Sequence, residues 1–107
     1  MATETIPTTI TTEALELAKE YSVERELEAI LDKGRELVRG LRALKVVAEP
    51  PTDMGDPLIV IRATVDPALE DDPSHHAWWC WRIDQYGPVI AAQFLVVLYP
   101  DRTTDGR

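Results

Sequence analysis

The sequence predicts an α+β fold: one or two N-terminal helices packed on a four-stranded antiparallel meander sheet. Three observations carry this reading. Apolar residues recur at helical spacing between residues 12 and 44. Beyond residue 56 the period drops to two, as in strands. The segments between the apolar runs are short and rich in proline, glycine and aspartate, which suits sequential, hairpin-connected neighbours. At 107 residues and 45% hydrophobic composition, the chain suits a single domain with a modest core. The expected division is a flexible arm over 1–11, one α+β domain over 12–100 and a flexible tail over 101–107.

Residues 1–11 are threonine-rich and contain Pro7, which suits a mobile arm. Residues 12–21, "TEALELAKEY", read as a helix capped by Thr11 or Thr12, with Ala14, Leu17, Ala18 and Tyr21 on one face. A second amphipathic helix of roughly 20 residues follows, with Ser22 as its expected cap. Its apolar stripe is Leu27, Ile30, Leu31, Leu37, Val38, Leu41 and Leu44. The two stripes are out of phase, so a break or bend is expected near Tyr21–Ser22. Gly34 sits within the second stripe, where glycine costs about 1 kcal/mol against alanine. A bulky side chain pressing on the helix would account for it, and Trp79 and Trp81 are the expected candidates.

Four strands are expected, over 44–49, 58–66, 75–84 and 89–99. In 58–66, Ile59, Ile61, Ala63 and Val65 alternate with Val60, Arg62 and Thr64. In "HHAWWCWRID" (75–84), Ala77, Trp79, Trp81 and Ile83 alternate with His76, Trp78, Cys80, Arg82 and Asp84. The first, uncharged set belongs under the helix. Gly87–Pro88 reads as a tight hairpin turn. That register sets Cys80 opposite Leu95, Trp78 opposite Val97 and His76 opposite Tyr99. Trp78, Cys80, Leu95, Val97 and Tyr99 then form an apolar patch on the sheet face away from the helix, with Val60 beside it. Residues 89–99 contain no charged side chain, although an edge strand is normally blunted by charge. Helix 12–20, a second copy of the chain or another protein should cover this surface.

The charge distribution limits the function classes. The net charge is −8. Residues 33–48 form a basic block of Lys33, Arg35, Arg39, Arg42 and Lys45 between two acidic stretches. A nucleic-acid binder usually carries a broad basic footprint, so no nucleic-acid partner is expected. No apolar run approaches the roughly 18 residues of a membrane span, and no membrane association is expected. The single cysteine, Cys80, can form no internal disulfide, which makes the cytoplasm the expected compartment.

No chemistry-bearing motif stands out. On a strand, His76 and Cys80 lie about 13 Å apart, too far for one metal ion or for a histidine base to reach the thiol. No metal or other cofactor is therefore expected. Arg82 and Asp84 share a strand face and could pair or grip a polar ligand. The expected function is a non-enzymatic interaction module, homo-oligomeric or the acidic partner of another protein, acting through the outer face and edge of residues 75–84 and 89–99. The alternative is a small-molecule or metal-binding domain centred on His76, Trp78, Arg82 and Asp84.

Overall fold

The structure, a computed structural model, describes residues 6–49, 57–69 and 71–100. Among the described residues, three helices cover one face of a four-stranded mixed sheet. The elements run β1 (Thr8–Ile10), α1 (Thr12–Glu20), α2 (Glu24–Leu37), β2 (Leu41–Glu49), β3 (Leu58–Val65), a 3₁₀ turn (Pro67–Leu69), α3 (Pro73–Ala91) and β4 (Phe94–Pro100). The sheet order is β1-β2-β3-β4.

The fold is α+β, but the sheet is not an antiparallel meander. Only β2 and β3 are antiparallel; β1 runs parallel to β2, and β4 parallel to β3. The cause is residues 75–84, which are helical rather than a strand. A tight hairpin can join antiparallel neighbours, whereas parallel neighbours need a long crossover. Helix α3 is that crossover, carrying the chain from the end of β3 back to the start of β4.

The N-terminal elements follow their local chemistry. The Thr11 side chain accepts from the Ala14 amide, capping α1. Ala14, Leu17 and Ala18 are buried. The break between the helices falls where the sequence places it, but Ser22 does not cap α2. Ser22 adopts φ 58 in the turn, and Val23 stands at the cap position. Helix α2 stops at Leu37, short of the expected length. Gly40, with φ 78, turns the chain so that Leu41 and Leu44 become strand residues. The second strand therefore begins at Leu41 rather than at residue 44. Thr8–Ile10, within the stretch read as an arm, forms a short edge strand on β2. The stretches 1–5, 50–56 and 101–107 lie outside the described residues, and the expected tail is among them.

The core sits between the helices and the sheet. Ile59, Ile61, Ala63 and Val65 are fully buried, as their alternation predicts. They join Leu44, Val46, Phe94 and Val96 from the neighbouring strands and Leu27, Ile30 and Leu31 from α2. Trp78 of α3 completes the cluster at 1% exposure. Its indole Nε1–H donates to the Ile30 carbonyl at 2.9 Å.

Gly34 is explained by the same contact. A Cβ at position 34 would lie 2.5 Å from the Trp78 ring. A tryptophan does press on this glycine, but it is Trp78 and not Trp79 or Trp81. Trp79 is 39% exposed and Trp81 only partly buried.

Candidate functional site

Helix α3 begins where Asp72 caps it. The Asp72 carboxylate accepts from the Ser74 amide at 2.9 Å, and Pro73 occupies the first turn, where its missing N–H costs nothing. The Ser74 contacts, aided by Arg39 at 3.3 Å, hold the Asp72 carboxyl below its ordinary value. The buried residues His75, Trp78 and Arg82 recur at helical spacing. Gly87, at φ 81, kinks the helix, and Pro88 opens its final turn. Gly87–Pro88 thus redirects a helix instead of closing a hairpin, and β4 begins at Phe94 rather than at residue 89.

This geometry redistributes the candidate residues. Trp78 lies in the core, not on the outer sheet face. Cys80 lies on α3, half-buried, and is not opposite Leu95. Its sulfur is 3.2 Å from His76 Nε2, since a helix brings residues four apart onto one face. The separation expected of a strand does not apply. His76 stacks on Trp79 with ring centroids 6.3 Å apart, and the Arg82 guanidinium lies 5.0 Å from the same indole. His76, Trp79 and Arg82 therefore form a ladder along α3. Asp84 is exposed, eight residues beyond His76 and about 12 Å along the helix. His76, Trp78, Arg82 and Asp84 do not converge on one surface. Among the described residues, no group of three or more His, Cys, Asp or Glu is placed to hold a metal ion.

Arg82 is 5% exposed and donates to the Phe94 carbonyl. Burial pushes its guanidinium below the ordinary value. The contact falls on the free edge of the sheet. Ile59 donates its amide to the Gln93 carbonyl at 3.1 Å, and Ile59 is level with Phe94. In a parallel ladder, this phase turns the backbone groups of residues 95, 97 and 99 toward β3 and those of Phe94, Val96 and Leu98 outward. No described strand pairs with that outward edge.

Leu95, Val97 and Tyr99 point to the sheet face opposite the helices. Leu95 is 42% and Tyr99 39% exposed, and Val97 is half-buried. The strand register aligns Leu95 with Val60 and Val47, giving an apolar row across three strands. Val97 is level with Arg62 and Lys45 in the next row. No described helix packs on this face, so α1 is not its cover. On the helix side of the same edge, His75, His76, Trp79 and Leu98 line a shallow cleft of about 420 Å³. The imidazole Nε2 of His75 is buried there without a hydrogen-bond partner among the described residues.

Two of these features were open to sequence reasoning and were missed. Asp72-Pro73-Ser74 is a helix-start signal within what reads as an acidic loop. The buried spacing of His75, Trp78 and Arg82 is a helical stripe masked by the tryptophan alternation. No described helix is long and apolar enough to cross a membrane. Comparison of the chain with protein-family models, with curated proteins and with solved structures finds no match.

Proposed function

We propose that this chain is a protein-association module that self-associates through the edge and outer face of β4. One observation carries the reading: β4 ends the described sheet as a seven-residue strand without a single charge. Such an edge presents backbone donors and acceptors ready to pair with another strand. The opposite edge, β1, has only three residues. The apolar side chains of Leu95, Val97 and Tyr99 add a side-chain surface to the backbone one.

Sedimentation velocity tests the proposal. The expected result is a mass above the 12.0 kDa of one chain. Val97→Asp, which places a charge beside the edge, should return the mass to that of a monomer with helix content unchanged. A wild-type chain that stays at one-chain mass up to millimolar concentration overturns the reading.

A further inference from the structure

Resting on that reading, we infer that the partner is a second copy of this chain, added antiparallel along β4 with the two-fold axis at Val97. The outward backbone groups themselves set this register. Val96 and Leu98 each present an outward N–H and C=O, and they flank Val97 symmetrically. An antiparallel copy pairs Val96 with Leu98 of the second chain, and Leu98 with its Val96. Val97 then meets its own counterpart in a non-hydrogen-bonded pair, with Cα atoms about 4.5 Å apart. On the outer face, Leu95 comes opposite Tyr99 of the second copy, an aliphatic–aromatic cross-strand pair. With this axis the ladder closes through Val96 and Leu98 alone, and Phe94 falls opposite Pro100 at each end; an axis at Val96 would need the Arg82-capped Phe94 carbonyl for its outer bonds, and one at Leu98 would need Pro100, which has no N–H.

Charge selects a second copy as the occupant. A chain of net charge −8 repels its own kind over most of its surface. The acids of the helical layer, among them Glu13, Glu16, Glu24, Glu28 and Asp32, lie on α1 and α2. From residue 73 to residue 100 the only charged side chains are Arg82 and Asp84, which cancel. This sparsely charged end, where Arg62 beside Val97 is paired with Glu49 at 3.6 Å, is where two such chains approach with the least like-charge repulsion. A basic partner would instead be drawn to the acidic helices. Trp79, exposed beside Leu98, stands at the same seam.

Disulfide trapping tests the axis. In a Cys80→Ser background, Val97→Cys places two thiols within the Cα separation of about 4.4–6.8 Å that a disulfide needs. Mild oxidation should convert most of that protein to a covalent dimer. Leu95→Cys in the same background should give essentially none, because the two-fold sets residue 95 about 13 Å from its counterpart. A dimeric mass without trapping at residue 97, or with trapping at residue 95, overturns the Val97 axis and leaves the association reading standing. A one-chain mass with no trapping at either site overturns both.

Discussion

Trp78 and Gly34 show how closely one side chain and one missing side chain depend on each other. The indole is pinned at one end by its hydrogen bond to Ile30, so it cannot slide away from an added methyl. Gly34→Ala gains about 1 kcal/mol in helix propensity. It loses about 1–3 kcal/mol to overpacking against a ring 2.5 Å from the new Cβ. The ring is too rigid to yield cheaply, so the net effect should be destabilising, read as a lower urea midpoint. Trp78→Phe relieves the crowding but removes the donor to Ile30 and leaves a void. It should cost about 2 kcal/mol in urea unfolding. The two substitutions share a contact, so the double variant should be less destabilised than their sum. That a tryptophan presses on Gly34 was legible in the sequence. Which tryptophan was not, because the choice depends on the period assigned to residues 75–84.

Helix α3 is the element on which the sequence reading turned. "AWWCWRI" fits alternation as well as it fits a helical turn, and tryptophan favours strands. The tertiary setting decides: as a helix, the segment buries His75, Trp78 and Arg82 together against α2 and β4. The Asp72 cap makes this element sensitive to acid. The folded state holds the Asp72 carboxyl below its ordinary value of 3.8, so its contribution is complete above that pH. It declines as the pH falls through the folded value. Asp72→Asn keeps a capping side chain but loses the charge. The stability gap between the wild type and Asp72→Asn should therefore be widest near neutrality and close below about pH 3.8 in acid unfolding curves. Gly87 makes a second test within the same element. It has φ 81 and ψ 167, a backbone region essentially reserved for glycine, and open space around it, so Gly87→Ala should cost about 1–3 kcal/mol through backbone strain alone.

At the scale of the molecule, charge and apolar surface are segregated. Acids concentrate on the helices α1 and α2, while residues 73–100 carry only Arg82 and Asp84. Association through that end should strengthen modestly as sodium chloride rises from 0.05 to 0.5 M (about 14 to 4 Å of screening length), since salt screens the residual repulsion and no ion pair at the seam is lost. Weakening with salt, read as a lower sedimentation mass, would point to a charged interface elsewhere. The sequence by itself determined the α+β class, the helix over 12–20, the alternation of β3 and the uncharged character of the last strand. These are properties of local periodicity and composition, which a chain carries before it folds. Only the tertiary structure decided that residues 75–84 are helical, that β3 and β4 run parallel, that Trp78 is the core anchor, and that Cys80 meets His76. The reason is that a short run apolar on several sides satisfies both periods equally, and only the shape of the cavity it fills distinguishes them.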